Sequence, residues 1–140
     1  MTDPLRALFL VAEAAPFIKV GGLGDVGGTL PAAIQRAGGE HLQMRVAIPH
    51  HNAISLEGRQ VTRLADIPVE TRHGTRVAEV CSVEQDGLTV YLIGGEPLRQ
   101  SPSVYQADAR LDGKKFTFFS LAALELARQL GWSPHILHAN

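Results

Sequence analysis

Apolar residues gather in short runs near both ends of the chain and in alternating patches between them, and the two patterns predict different elements. Leu8–Ala12, Met44–Ile48 and His135–Ala139 read as strands, each separated from the next by helical or polar sequence. A helix is expected from Asp25 to about Arg36, with Ala37-Gly38-Gly39 closing it and Asp25 placed to cap its start. Gly27, Gly28 and Pro31 are poor helix residues, so the pattern is firm only in the second half of that segment. The middle is strand-rich, with Gln60–Leu64, Val69–Arg72, Val77–Val83 and Thr89–Ile93, and Asp86-Gly87 supplies a hairpin turn between the last two. Phe116, Phe119, Ala123, Leu126 and Leu130 recur at three- and four-residue steps, which predicts a second helix over about Lys114 to Leu130, ended by Gly131. Strands alternating with helices at the two ends define an α/β, Rossmann-like class with a mostly parallel sheet and an inserted antiparallel β-hairpin.

Composition narrows the functional classes. At 140 residues, 45% hydrophobic, the chain suffices for one domain with a real core. A net charge of −1 argues against nucleic acid as partner. The apolar run after Arg6 is broken by Glu13, too early for a membrane span, and no membrane partner is expected. Cys81 is the single cysteine, so no internal disulfide can form, and a cytoplasmic, reducing setting is the default expectation. In an alternating strand Cys81 reads as core rather than nucleophile.

The chemistry concentrates in Lys19-Val-Gly-Gly-Leu-Gly-Asp-Val26. A lysine beside small residues, between a strand and a helix, suits an anionic phosphate. The glycines let backbone N–H groups approach, the helix start adds its positive dipole end, and the lysine adds a full charge. Gly22, Gly24 and Gly27 also fit the dinucleotide fingerprint G-x-G-x-x-G, but that mechanism needs the first glycine directly after the strand. Here Glu13–Gly21 intervenes, and the second strand ends in Pro49-His50-His51, without the acidic residue that would bind a ribose hydroxyl. Dinucleotide binding is disfavoured on both counts.

Other candidates carry less. His50 and His51 invite a metal, but neighbouring strand side chains point oppositely and no carboxylate completes a set, so no metal is expected. His41 and His73 read as surface residues. His138 ends the last strand, where open α/β sheets place ligands. Tyr105, in the loop before the second helix, has a ring that can stack and a hydroxyl that can hydrogen-bond, or it is simply exposed.

Residues Leu8–Ala15 with Pro16, Lys19–Val26 and Leu30-Pro31 resemble the opening of bacterial glycogen synthases and plant starch synthases. In that family a strand leads into Ser/Ala-Glu-x-x-Pro and then Lys-[Thr/Val]-Gly-Gly-Leu-[Ala/Gly]-Asp-Val. Arg45-Val-Ala-Ile-Pro49, Val90–Ile93, Lys115–Ser120 with Ala122–Glu125, and Trp132–Asn140 continue the resemblance in order along the whole chain. It implies the N-terminal domain of a two-domain GT-B glucosyltransferase, one that transfers glucose from ADP-glucose to the non-reducing end of an α-1,4-glucan with retention and without a cofactor. Lys19 would then contact the donor phosphates, with Gly21 and Gly22 admitting them, while Asp25, Tyr105, His138 and Asn140 would face the acceptor cleft.

Two departures qualify the resemblance. His135 stands where the family usually has aspartate, and the chain ends at Asn140, where the family continues into Asp-Trp and a second α/β domain. The expectation is therefore a truncated N-terminal domain that is inactive alone and leaves an apolar strand edge uncovered. A non-catalytic glucan- or nucleotide-binding module, and a GT-B enzyme with another donor, remain as alternatives. ADP- against UDP-glucose selectivity and oligomeric state stay open.

Overall fold

The computed structural model describes residues 2–140. Seven strands, β1 (Leu5–Leu10), β2 (Leu42–Pro49), β3 (Thr62–Arg63), β4 (Ile67–Thr71), β5 (Gly74–Gln85), β6 (Leu88–Gly94) and β7 (Ile136–Ala139), form a mixed sheet. Its main path runs β3-β5-β6-β2-β1-β7, with β4 paired to β5. The pairs β1–β2, β1–β7 and β2–β6 are parallel, and β5 runs antiparallel to β6, β3 and β4. The α/β class is as the sequence predicts, but the antiparallel part is larger than one hairpin.

Among the described residues three α-helices, α1 (Gly22–Gly38), the single turn α2 (Glu96–Arg99) and α3 (Ala109–Gln129), and a 3-10 turn at Gly39–His41 complete the fold. The helices cover the sheet from both sides, and the core divides accordingly. Leu8, Ala47, Tyr91 and Ile93 pack with Phe118, Phe119, Ala122 and Leu126 of α3. On the opposite face Phe9, Val46, Ile48, Val90 and Leu92 pack with Ala32 of α1 and with Phe17. The strand-parity rule thus sends alternate residues of β1, β2 and β6 into two separate cores.

The structure corrects several boundaries. α1 begins at Gly22 rather than Asp25, its N-cap is Gly21, and Asp25 lies in the first turn without capping it. The glycines that weaken the helical pattern are required by packing. A Cβ on Gly27 would stand 2.4 Å from the Glu13 carbonyl oxygen, and one on Gly28 would stand 2.4 Å from that of Ala15. α1 therefore lies against the segment after β1 at a distance only glycine permits.

α3 begins five residues earlier than the apolar stripe indicates, because Asp108 caps it by accepting the Arg110 N–H at 2.9 Å. Its buried stripe also takes in Phe118 and Ala122, whereas Leu130 is exposed. The β5–β6 turn forms where expected, with Asp86 at φ 53° and Gly87 at φ 76°. β7 is an edge strand, paired among the described residues with β1 alone, and its Ile136 and Leu137 are exposed.

Candidate functional site

The parallel strands β1, β2, β6 and β7 all end at the carboxyl edge of the sheet, and the segments that leave them carry the candidate residues. Residues 11–21 leave β1 for α1, residues 95–108 leave β6 for α3, and Asn140 follows β7. Open parallel sheets bind ligands at this edge because loops and helix N-termini converge there.

Lys19 and Asp25 meet directly. The Lys19 ammonium stands 2.9 Å from the Asp25 carboxylate, with both side chains more than half exposed. Gly21 and Gly22 are open, with no atom within 4 Å of where a Cβ would lie.

Sequence reasoning passed over the residue that shapes this loop. Glu13 is 1% exposed. Its carboxylate accepts N–H bonds from Val20 at 2.9 Å, Gly21 at 3.1 Å and Gly24 at 2.8 Å. An anion already occupies the inner side of the α1 N-terminus, and it belongs to the protein. The simple cradle of helix end, glycines and lysine is therefore revised. Glu13 takes up the inward donors Val20, Gly21 and Gly24, while the Gly22 and Leu23 N–H groups of the first turn donate no such bond to it. The signal was a lone carboxylate inside the apolar run Leu8–Ala15, just ahead of the glycines.

His51, weighed from the sequence only as a metal ligand, has a structural role instead. It is 3% exposed, and its Nε2–H donates to the Ala12 carbonyl at 2.7 Å, tying the β2 exit to the β1 exit. Burial lowers its pKa first; the Lys115 charge acts in the same direction, while the Ala12 bond and Glu13 oppose it. His50, half-buried, is lowered by burial against an opposing pull from Glu79. Among the described residues no group of three or more His, Cys, Asp or Glu side chains is disposed to hold a metal ion.

Tyr105 is 41% exposed and leans on Phe116, with ring centroids 6.0 Å apart. Its pKa is raised, chiefly by desolvation and then by the charges of Glu13 and Asp112. His138 packs its ring over Phe9 at 4.5 Å, and the Asn140 N–H donates to the Leu10 carbonyl at 2.9 Å. No hydrogen bond or ion pair joins Tyr105, His138 or Asn140 to the Lys19–Asp25 pair. These residues share the edge but are not one contact cluster. A cavity of roughly 660 Å³ lies elsewhere, between the β4–β5 hairpin tip and α3, and includes none of them.

Cys81 is half-buried and its thiol pKa is raised by desolvation, so it is neither a full core residue nor an activated nucleophile. No helix among the described residues is long and apolar enough to cross a membrane.

A two-faced α/β sheet whose strands β6, β2, β1 and β7 run parallel, with a glycine loop and a helix N-terminus at its carboxyl edge, defines a Rossmann-like domain. The match to known proteins is more particular. Residues 6–140 fit the family model described as the starch synthase catalytic domain, and the chain belongs to that family. It is 35% identical over 137 residues to a glycogen synthase of Clostridium beijerinckii, covering 97% of this chain and 28% of that protein. A glycogen synthase of Bacillus cereus is 32% identical over 139 residues, again with 97% and 28% covered. The catalytic domain of starch synthase IV from Arabidopsis thaliana, bound to ADP and acarbose, superposes with a TM-score of 0.84 at 29% identity. That match covers 97% of this chain and 28% of that one. The chain thus spans little more than a quarter of the length of the relatives it matches.

Proposed function

We propose that this chain supplies the N-terminal part of a glucosyltransferase that moves glucose from ADP-glucose to the non-reducing end of an α-1,4-glucan, with retention. The observation that carries the reading is the exposed Lys19 ammonium beside the open Gly21–Gly22 backbone at the start of α1. A departing diphosphate gains negative charge as the glycosidic bond breaks, and a fixed ammonium with outward N–H groups stabilises that charge more in the transition state than in the ground state. Asp25 holds the Lys19 ammonium in the meantime and, with Tyr105, His138 and Asn140, faces the glucan acceptor. The solved starch synthase IV, which binds ADP and acarbose, supports a nucleotide and an oligosaccharide as the ligand classes.

One lysine and two free N–H groups make half of a diphosphate clamp. Transfer also requires the acceptor hydroxyl to be held near the anomeric carbon, which one edge of one sheet does not accomplish. The 140-residue segment is therefore inactive by itself under this proposal. The test uses the protein expressed from its complete coding sequence, with labelled ADP-glucose or UDP-glucose and maltodextrin. Glucan elongation is expected, and Lys19→Ala should lower kcat/KM by about 10²-fold or more, as for loss of one preorganised charge-stabilising donor. A folded protein that elongates glucan from neither donor refutes the proposal.

A further inference from the structure

Lys115 is the most deeply buried charge in the described chain, with the whole residue at 0% exposure. An ammonium taken out of water persists only where charges and hydrogen bonds replace the solvent. The Phe116 ring centroid lies 4.8 Å from the ammonium, and the hydrogen-bonding and charged groups around it all serve the segment that carries Tyr105. Lys115 Nζ donates to the Val104 carbonyl and, at 3.3 Å, to the Ser103 carbonyl, and it lies 3.5 Å from the Asp112 carboxylate. Asp112 in turn accepts the Gln106 N–H at 3.0 and 3.1 Å on its two oxygens. One helical turn of α3 thus grips the chain on both sides of Tyr105, from Ser103–Val104 before it to Gln106 after it. The Tyr105 ring rests on Phe116, the residue next to Lys115, and Phe116 also faces His51 at 6.5 Å.

We infer that Lys115, acting with Asp112, is a positioning residue that fixes the Ser103–Gln106 segment and thereby presents Tyr105 to the glucan acceptor. It touches neither acceptor nor donor. The inference rests on the acceptor role proposed above for Tyr105. A lysine that merely balanced buried charge would have no reason to bond the two carbonyls immediately before one exposed aromatic residue while its acidic partner holds the N–H immediately after it.

The experiment uses the protein from the complete coding sequence and compares wild type, Lys115→Met, Asp112→Asn and Tyr105→Ala. Amide hydrogen exchange reads the segment, and calorimetry reads maltoheptaose and ADP separately. In Lys115→Met, exchange over residues 103–106 should accelerate at least about ten-fold while β1 and α1 stay protected. Maltoheptaose should bind roughly three- to ten-fold more weakly, with ADP affinity unchanged within about two-fold. Lys115→Met added to Tyr105→Ala should cost little beyond Tyr105→Ala alone, because the clamp acts through that ring.

A folded Lys115→Met with wild-type exchange at 103–106 overturns the inference. So does parallel weakening of both ligands, or simple additivity with Tyr105→Ala. If Lys115→Met does not fold, Asp112→Asn decides by the same criteria, since it removes one carboxylate oxygen from the Gln106 N–H and leaves the lysine in place. A wild-type protein that binds ADP but not maltoheptaose overturns the acceptor reading, and the exchange measurement then still decides whether Lys115 is the clamp.

Discussion

Glu13→Gln is the sharpest perturbation of the glycine loop, because it changes charge and one hydrogen-bonding atom with little change in volume. In the native protein Glu13 Oε1 accepts from Gly21 and Gly24, and Oε2 accepts from Val20. Glutamine can keep the pair at Oε1, but its amide then points a donor at the Val20 N–H. Two charge-assisted bonds become neutral ones, at about 1 kcal/mol each, and a third is replaced by an unsatisfied donor, at about 1–3 kcal/mol. The carboxylate also loses its favourable place at the α1 N-terminus, worth up to ~2 kcal/mol, whereas relief of its burial offsets part of the sum. A net destabilisation of about 2–4 kcal/mol follows, against a total stability for such a domain of about 5–15 kcal/mol. For a chain of this size each kcal/mol lowers the melting midpoint by about 3–4 °C, so a drop of roughly 6–15 °C is expected. Circular dichroism melts give the midpoint, and amide exchange at Val20, Gly21 and Gly24 localises the loss. A variant that melts within about 2 °C of wild type, with these three amides still protected, refutes Glu13 as the anchor.

The buried imidazoles give a pH signature. Burial lowers the pKa of His51 and His50, so below the ordinary value of 6.5 the unfolded chain binds protons that the folded chain resists, and stability falls with pH in that range. Urea midpoints should therefore decline from pH 7.5 to 5.5 and flatten in His51→Gln, and a midpoint that rises on acidification contradicts this. Among the glycines, Gly28→Ala forces a Cβ to within 2.4 Å of the Ala15 carbonyl oxygen and should cost several kcal/mol, whereas Gly21→Ala meets open space and should stay within about 1 kcal/mol. Equal denaturation midpoints for the two variants would count against close packing of α1. Cys81 should react with iodoacetamide at pH 7.5 more slowly than a free thiol, since desolvation raises its pKa; reaction at the free-thiol rate would show the site to be open.

The α/β class, the β5–β6 turn and α3 are legible in the sequence because each rests on a local rule: apolar period, turn residues, helix stripe. The start of α1 is misread because Gly22, Gly24, Gly27 and Gly28 score against a helix on intrinsic preference. Gly27 and Gly28 are required by a close approach to Glu13 and Ala15, and Gly24 by one to Lys19, that only the folded chain contains. Asp25 has the right residue type for a cap, yet the helix has already begun three residues earlier, leaving its carboxylate to Lys19.

The candidate site divides in the same way. Lys19, Gly21 and Gly22, the residues proposed to meet the donor phosphates, announce themselves by residue type and spacing, since a short glycine loop beside a lysine is a local feature of the chain. Glu13, His51 and Lys115 do not, because each acts through backbone groups of a different segment: the glycine loop, the β1 exit and the Tyr105 loop. By itself the sequence nominated Lys19, Gly21 and Gly22 for the proposed phosphate contact and marked most of the segments that become strands and helices. Tertiary structure alone decided which charges would be buried and what they would hold. A buried carboxylate, imidazole or ammonium takes its role from partners that lie far away in sequence or around a loop, and those partners exist only once the chain has folded.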